Sequence, residues 1–370
     1  MRVLFVPVSA PRGSGEYTRA LTLATALARR SPGAQLHFIL SREAPYAQEC
    51  PFPATLLPSS PTFHTREVSE VIRNFRPAVV VFDNAGRTAQ LLAARASGAR
   101  VVFISSRPRQ RRRAFRLRWM RLLDEHWIAY PEFMAGSLTA IERLRLTLAG
   151  GPVVRFLDCV LPESGAAMPG VAAAQGSIPQ EPFALVVAGG VSGHRRFQEA
   201  PRAMAEAAVR LARRDLPVVL VDAAAGAAPI PTDVNLSVLP RLGVGDLAGL
   251  IRRARLVVCN GGDTFVQVLA SGRPCVAVAL VPDQSRRLRR CARAGLALEA
   301  RRDATEIEEA AVRLLQDEWA RATQLAAIQQ LGLVNGLDTA LMSLAALAAL
   351  APPARSAARR PAPPSPRGSA

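Results

Sequence analysis

Short apolar runs rich in Val, Leu and Ile alternate with amphipathic stretches along the first half of the chain. This alternation constrains the fold more than any other feature, because fully apolar strands separated by helices are typical of a parallel sheet that helices cover on both faces. The predicted strands are residues 3–8, 35–40, 79–82 and 101–104, the predicted helices are 17–30, 66–74 and 88–96, and helix is expected to dominate from 114 to about 148.

The same alternation begins again in the second half. Residues 162–182 are rich in Pro, Gly, Ala and Ser, which is typical of an interdomain linker. The predicted strands beyond it are 184–188, 218–221, 236–239, 256–259 and 275–278, and the predicted helices are 200–213, 246–254, 264–271 and 285–294. The sequence therefore predicts an α/β protein with two tandem Rossmann-like, doubly wound parallel-sheet domains, 1–161 and 183–320. C-terminal helices are expected at 321–350, and the Pro-rich and Arg-rich tail, 351–370, is expected to be disordered.

The chain is strongly basic, with a formal net charge of +18, but all 47 of its basic residues are Arg and none is Lys. Lysine-free usage indicates a bias in genomic base composition, so the charge alone does not indicate nucleic acid. No motif of a nucleic-acid-binding module accompanies the arginines, and we expect no nucleic-acid partner. A phosphate group or an anionic membrane surface is the expected acidic partner.

The cysteines indicate a reducing compartment. They are far apart, lie mostly in apolar runs and have the spacing of neither a disulfide framework nor a metal site; they are Cys50, Cys159, Cys259, Cys275 and Cys291. No uncharged apolar run reaches about 18 residues, so no transmembrane helix is expected. A cytoplasmic protein follows, located in part at the inner face of the cell membrane if the acidic partner is a lipid.

Ligands of open parallel sheets bind beyond the carboxyl ends of the strands, at helix N-termini. The first such loop contains Gly13, Ser14 and Gly15, whose backbone allows a ligand to approach closely, and Glu16 follows at the helix start. The alternative is a tight turn in which Glu16 only interacts with the helix dipole. The corresponding loop of the second domain, with its backbone N–H groups, a hydroxyl and basic side chains, suits a pyrophosphate, or is a structural turn; it contains Gly189, Gly190, Ser192, Gly193, His194 and Arg195.

Two further loops precede helices in the second domain. One contains Gly261 and Gly262, with Thr264 at the helix start and Gln267 one turn further on. The other contains Asp283 and Gln284. Each of these loops alone is equally consistent with an ordinary helix cap. Their occurrence on equivalent edges of two tandem sheets favours a ligand site.

Residues 260–274, NGGDTFVQVLASGRP, followed by Pro282-Asp-Gln, resemble the donor-binding signature of glycosyltransferase family 28. That family includes the N-acetylglucosaminyltransferase that forms a lipid intermediate of peptidoglycan. Residues 13–24, GSGEYTRALTLA, are similar to the related UDP-sugar hydrolase of pseudaminic acid synthesis. The resemblance extends over about residues 1–300 and implies a GT-B fold, in which a nucleotide sugar binds in the cleft between two Rossmann-like domains.

The resemblance also implies roles for individual residues. Residues 189–193 would hold the donor diphosphate beside Thr264. Independently of the resemblance, His194 is a candidate catalytic residue, because the departing diphosphate is expected to lie against residues 190–195. Gln284 would meet sugar hydroxyls, and Gln267 stands where the family has an acidic residue that binds the ribose. Glu16 stands where these relatives carry a catalytic His, and a carboxylate there is able to act as general base. No metal ion and no cofactor are expected, because helix N-termini and basic residues are able to neutralise the departing diphosphate.

The acceptor is expected on the first domain. Asp83 and Asn84 follow a predicted strand on the ligand-binding edge, where a cap or turn role is the alternative. Residues 107–121 are rich in Arg, and Arg109 and Arg111 are the candidate ligands of a phosphorylated or lipid-linked acceptor. The apolar residues of this segment are suited to an anionic bilayer interface or, alternatively, to the core; they are Phe115, Leu117, Trp119 and Met120.

Together these features predict an inverting glycosyltransferase. It would transfer a sugar from a nucleoside-diphosphate donor, with UDP as the expected nucleotide, to a hydroxyl of a cell-envelope or lipid-linked acceptor. Two alternatives remain at this point. One is a nucleotide-sugar hydrolase, in which water replaces the acceptor. The other is a sugar-nucleotide-binding protein without catalysis, which the absence of the family's His and acidic ribose ligand favours.

Overall fold

The computed structural model describes residues 1–11, 14–163, 178–188, 199–221 and 234–352, without the side chains of Ala149 and Asp283. The strands of the first domain are β1 (Arg2–Pro7), β2 (Gln35–Ser41), β3 (Ala54–Leu57), β4 (Val79–Asp83), β5 (Arg100–Ser105), β6 (Glu125–Ile128) and β7 (Val153–Phe156). Its helices are α1 (Gly15–Arg30), α2 (Thr65–Phe75), α3 (Thr88–Ala96), α4 (Pro108–Ala114), α5 (Leu117–Met120), α6 (Glu132–Ala135) and α7 (Ala140–Ala149).

The second domain follows the same plan. Its strands are β8 (Ala184–Val187), β9 (Val218–Val221), β10 (Leu236–Leu239), β11 (Leu256–Asn260), β12 (Cys275–Val278) and β13 (Leu298–Ala300). The helices are α8 (Glu199–Ala212), α9 (Val244–Arg253), α10 (Asp263–Ala270), α11 (Pro282–Arg293), α12 (Ala304–Gln316), α13 (Glu318–Gln330) and α14 (Leu337–Ala349). No helix in the described part of the chain is both long and apolar enough to cross a membrane.

Two parallel sheets confirm the predicted pair of doubly wound domains. The first sheet has seven strands in the order β3-β2-β1-β4-β5-β6-β7, and the second has six in the order β10-β9-β8-β11-β12-β13. The strand order reverses between β1 and β4 in one sheet and between β8 and β11 in the other. Such reversal points open a crevice at the carboxyl ends of the strands, where ligands of these folds bind.

The central strands are buried because both of their faces are covered. Every residue of β4 and of β11 is buried, as expected for parallel strands with helices on both sides. Phe5 on β1 stacks on Phe38 of β2 with ring centroids 5.1 Å apart. These aromatic rings lie under α1 in the same apolar cluster as Leu23. The packing of α1 on the sheet therefore fixes the loop that precedes it.

Four strands are absent from the sequence prediction: β3, β6, β7 and β13. The error is largest at β6, because it lies within 114–148, where helix is expected to dominate. The sequence of the strand is Glu-His-Trp-Ile, and all four residues are buried. The two polar residues interrupt the apolar run that would indicate a buried strand. Glu125 accepts hydrogen bonds from Trp127 Nε1 and from Arg155, and His126 Nε2 lies 2.8 Å from Ser105 Oγ.

The C-terminal helices connect the two domains. Helix α13 packs with the second domain, where Gln324 hydrogen-bonds both backbone groups of Cys275. Helix α14 returns to the first domain and places Leu341 and Leu344 in the core under α1. At the start of α14, the backbone N–H of Gly336 donates to Cys159 O at 2.8 Å.

The tight approach at Gly336 predicts a cost for any side chain there. A Cβ added at Gly336 would overlap the carbonyl oxygen of Leu157, so Gly336→Ala should lower the stability of the protein by about 1–3 kcal/mol, as overpacking does. Gly249→Ala in α9 is the matched control, because nothing lies within 4 Å of its added Cβ. We expect thermal unfolding at a lower temperature for the first variant only. Equal midpoints would show that α14 adjusts freely.

Burial of His126 predicts acid sensitivity. The ring is fully buried between Phe103 and Phe115, and burial, together with the nearby Arg111, lowers its pKa from 6.5 to about 3. Between these two pH values the unfolded chain binds a proton that the native protein does not, so the free energy of unfolding falls as the pH falls. His126→Phe should remove this dependence.

Urea unfolding followed by tryptophan fluorescence at pH 7 and pH 5 measures this effect. The parent should lose more stability than His126→Phe over this interval, by up to about 2 kcal/mol. Comparison with the variant cancels the contribution of the carboxylates that titrate in the same range. The same loss in both proteins would contradict a neutral native imidazole.

Candidate active site

Glu16 lies in the first turn of α1, directly beyond β1, and is 8% exposed. Its Oε1 accepts hydrogen bonds from Asn84 Nδ2 at 2.9 Å and from Arg107 Nη2 at 3.1 Å. The other oxygen, Oε2, has no hydrogen bond to a described residue. Among the described contacts, the carboxylate is therefore held through one oxygen only.

Asn84 connects three loops at the carboxyl edge of the first sheet. It has a φ of +53°, in the left-handed region that Asn tolerates better than most residues. Its Nδ2 donates to Glu16 and also to Ser106 Oγ, and its Oδ1 accepts from the backbone N–H of Ser106 at 3.0 Å. The ends of β1, β4 and β5 are thus joined through one amide side chain, which positions Glu16.

Arg19 forms a contact between the two domains in this region. Its Nε and Nη2 donate to the two carboxylate oxygens of Asp83 at 2.8 and 3.1 Å, and its Nη1 lies 3.4 Å from Asp263 Oδ2. Arg19 and Asp83 are 6% and 1% exposed. Burial raises the pKa of Asp83, whereas the charge and the hydrogen bonds of Arg19 lower it. This ion pair fixes α1 against β4.

Tyr130, just beyond β6, lies near Asp263, and both residues line a small cavity. Burial, followed by the negative charge of Asp263, raises the pKa of the Tyr130 phenol, so the hydroxyl stays protonated. Asp263 is the first residue of α10, and a Cβ on Gly15 would lie 2.5 Å from its Oδ2. The first turns of α1 and α10, one from each domain, therefore meet in the cleft.

Arg19 and Asp263 were not predicted as site residues. Arg19 lies three residues after Glu16, a spacing that places both on one face of α1, and this is the signal that would have identified it. Asp263 lies directly before the predicted helix 264–271, where the sequence by itself indicates only a helix-cap role for it. Its partner lies 244 residues away in sequence, so no local pattern indicates the pair.

The glycines before α10 have packing reasons of their own. A Cβ on Gly261 would lie 2.7 Å from Leu288 Cγ on α11, and a Cβ on Gly262 would lie 2.7 Å from Asn260 Oδ1. The Gly262 N–H donates to that same oxygen at 2.9 Å. Gln284 is close to this turn, and its Oε1 accepts from the backbone of Leu280 at 2.8 Å. The turn is therefore compact and brings α10 and α11 together at the cleft, with Thr264 in the first turn of α10.

Gln267 is 7% exposed, and its Oε1 is buried without a hydrogen bond to any described residue. The side chain lines a small cavity of about 30 Å³ together with Gly15, Thr18 and Asp158. This volume accommodates about one water molecule. A ribose bound at Gln267 therefore requires the cleft to be wider at this point.

The two arginines of helix α4 that are predicted to bind the acceptor, Arg109 and Arg111, have different surroundings. Arg109 is exposed to solvent. Arg111 is hydrogen-bonded through all five of its N–H groups, to both oxygens of Glu142 and to the carbonyls of Ala135, Gly136 and Ser137. Arg111 thus connects α4 to the loop before α7 and has no N–H left for a ligand.

The apolar residues of the same segment lie mainly in the core. Phe115 is 1% exposed, Trp119 4% and Met120 1%, whereas Leu117 is 46% exposed. Trp119 Nε1 also donates to Thr88 Oγ1 at 3.0 Å. The structure therefore supports the alternative in which these apolar residues pack mainly into the core and not into a bilayer interface.

Several predicted residues lie outside the described part of the chain, namely Gly13, Gly189, Gly190, Ser192, Gly193, His194 and Arg195. Of Asp283, only the backbone is described, at the start of α11. Ser14 precedes α1, and its Oγ accepts from Arg241 of the second domain at 3.1 Å. Within the described residues, no group of three or more His, Cys, Asp or Glu side chains is placed to hold a metal ion.

No protein-family model matches the sequence, and neither does any curated protein. Solved structures do match. A UDP-glucosyltransferase from Polygonum tinctorium has a TM-score of 0.66 and 14% identity over 94% of this chain and 98% of that one. The glycosyltransferase VinC, solved in complex with dTDP, has a TM-score of 0.63 and 16% identity over 95% of this chain and 100% of that one.

The chain has the GT-B fold.

The fold prediction is confirmed by these matches, which extend over both domains. A putative UDP-N-acetylglucosamine 2-epimerase from Listeria monocytogenes also matches, with a TM-score of 0.57 and 13% identity over 92% of this chain and 94% of that one. Identities this low show the fold alone. The resemblance to family 28 and the roles of the individual site residues remain predictions.

Proposed function

We propose that this protein is an inverting, metal-independent glycosyltransferase of the family 28 kind, using a nucleoside-diphosphate sugar, with UDP as the expected nucleotide. The observation that carries the proposal is the meeting of the first turns of α1 and α10 in the cleft, with Glu16 fixed beside them by Asn84 and Arg107. Two converging helix N-termini favour a bound anion. The acceptor is proposed to be a hydroxyl on a cell-envelope or lipid-linked molecule.

The donor is proposed to bind the second domain. Its diphosphate would lie at the N-terminus of α10 near Thr264, together with residues 189–195. Gln284 would contact the sugar, because its Nε2 has no hydrogen bond to a described residue and lies close to Gly262. Gln267 would bind the ribose through its unpaired Oε1. Helix N-terminal N–H groups and basic side chains would stabilise the negative charge of the departing diphosphate.

Glu16 is proposed as the general base. Its Oε2 would accept the proton of the acceptor hydroxyl as the hydroxyl oxygen forms a bond with the anomeric carbon. The bond from that carbon to the donor diphosphate would break on the opposite face, and its electron pair would leave with the nucleoside diphosphate. Asn84 and Arg107 would position the carboxylate through Oε1. Because the attack comes from the face opposite to the leaving group, the anomeric configuration is inverted.

The change Glu16→Gln tests this role. The amide keeps the size of the side chain and an oxygen for Asn84 and Arg107, but it is not able to accept the proton, so turnover should fall roughly 100- to 10,000-fold. A thermal-shift screen of UDP-, GDP-, dTDP- and CMP-sugars first identifies the donor, because a bound ligand raises the melting temperature. Release of the nucleoside diphosphate from that donor, with and without hydroxyl acceptors, then measures turnover.

Glu67→Gln is the matched control, because Glu67 also lies in the first turn of a helix but is half exposed and lines neither of the two cavities between the domains. Donor affinity and melting temperature should be unchanged in both variants. A Glu16→Gln protein that retains more than about a tenth of the parental turnover would leave Glu16 as a helix cap. Free sugar formed without an acceptor would identify a hydrolase, and donor binding without any turnover would identify a binding protein.

A further inference from the structure

A second, larger cavity lies between the domains. It has a volume of about 310 Å³ and is formed by the connections that follow β5 and β6 on one side and by α11 on the other. Six arginines line it, Arg107, Arg111, Arg112, Arg286, Arg287 and Arg290, and Glu142 is its one acidic lining residue among the described side chains. We refer to it as the arginine cavity. Its lining has a large excess of positive charge.

Two of these arginines have structural roles. The hydrogen bonds of Arg111 neutralise Glu142 and hold the loop before α7, as described above. Arg290 Nη1 donates to the carbonyls of Phe133 and Met134, at 3.3 and 3.2 Å, and so holds α6 against α11. These contacts form the wall of the cavity. They also pair Glu142 with Arg111, so that Glu142 does not offset the positive charge of the other arginines.

Three of the other four arginines, Arg112, Arg286 and Arg287, are available to a ligand, whereas Arg107 donates to Glu16 Oε1. Arg112 and Arg286 are exposed, and neither forms a hydrogen bond or an ion pair with any described residue. The guanidinium of Arg287 lies 4.1 Å from the centroid of the Tyr130 ring, and its hydrogen bond to Gly261 O is long, at 3.5 Å. Like charges around one cavity repel one another, and a cleft lined by charges of one sign concentrates ions of the opposite sign.

The size and charge of the cavity select the kind of anion. Its volume lies at the lower end of the range for small-molecule sites and far exceeds the space of a single water molecule. Guanidinium groups bind phosphate oxygens in pairs of parallel hydrogen bonds. A carboxylate carries a single charge, whereas a phosphomonoester or a diphosphate carries more and provides oxygens to arginines on both sides of the cavity.

We propose that the arginine cavity binds a phosphate or diphosphate group of the acceptor, distinct from the donor diphosphate at α10. This inference rests on the proposed function, because it assigns the group to the acceptor. Arg107 connects the cavity to the base, since it lines the cavity and donates to Glu16 Oε1 at 3.1 Å. A phosphate that attracts Arg107 leaves Glu16 with Asn84 as its remaining described partner and makes the carboxylate a more available base.

Isothermal titration of the full chain with inorganic pyrophosphate, in the presence of saturating UDP, tests the site. UDP occupies the donor diphosphate site, so the pyrophosphate that still binds reports on the cavity. The double variant Arg112→Gln/Arg286→Gln should weaken this binding at least tenfold. The control Arg118→Gln/Arg289→Gln removes the same charge from exposed arginines on α5 and α11 that do not line the cavity, and it should bind as the parent does.

Three outcomes would overturn the proposal: no pyrophosphate binding by the parent, equal weakening in both double variants, or displacement of cavity-bound pyrophosphate by UDP. The second would indicate diffuse surface attraction, and the third would indicate that the cavity belongs to the donor. If none of UDP, GDP and dTDP binds while pyrophosphate binding still depends on Arg112 and Arg286, the proposed function fails and the anion site stands. Unchanged melting temperatures establish that the variants are folded.

Sedimentation with vesicles identifies the source of the phosphate. If the parent pellets with phosphatidylglycerol vesicles but not with phosphatidylcholine vesicles, and Arg112→Gln/Arg286→Gln loses this property, the cavity takes a lipid phosphate. If the parent binds pyrophosphate and never pellets, the cavity takes the phosphate of a soluble acceptor. Pelleting that survives in the cavity variant would assign membrane binding to another surface and would remove the lipid as the occupant.

Discussion

The arrangement of the cleft depends on the interactions of the buried guanidinium group of Arg19. A buried charge is tolerated only where its partners are close and well oriented, and Asp83 provides two such oxygens at the end of β4. The remaining arm reaches Asp263 in the other domain. Because Arg19 lies three residues after Glu16 on α1, the same ion pair that fixes the helix also fixes the carboxylate proposed as the base.

Most of the fold follows from the sequence, because the strands of a parallel sheet are buried on both faces and read as continuous apolar runs. The strands β9, β10 and β12 begin and end at their predicted residues. Strand β6 does not read in this way, since Glu125 and His126 occupy buried positions. Glu125 has one near partner, Trp127, but Arg155 and Ser105 lie at least twenty residues away from the groups that they contact. No local pattern therefore indicates that both polar groups will be satisfied.

The residues of the candidate site likewise divide into those that the sequence predicts and those that it does not. The sequence places Glu16, Asp83 and Asn84 together, because the carboxyl ends of parallel strands share one edge of the sheet. It does not predict Asp263 as the partner of Arg19, since that contact depends on how two separate domains meet. Nor does it distinguish an arginine that binds a ligand from one like Arg111, whose five N–H groups are taken by the surrounding chain.

Arginine therefore has two uses in this protein, and only tertiary structure separates them. Arg19, Arg111 and Arg290 hold elements together, whereas Arg112 and Arg286 retain their donors at a cavity between the domains. Arg107 belongs to both groups, because it holds Glu16 and lines that cavity. In the proposed function, Asn84 and Arg107 both position Glu16 before the acceptor binds, and an acceptor phosphate that attracts Arg107 would leave Asn84 to position it during the proton transfer. A water molecule carries no negative charge that would attract Arg107. This difference would favour transfer to the acceptor over hydrolysis of the donor.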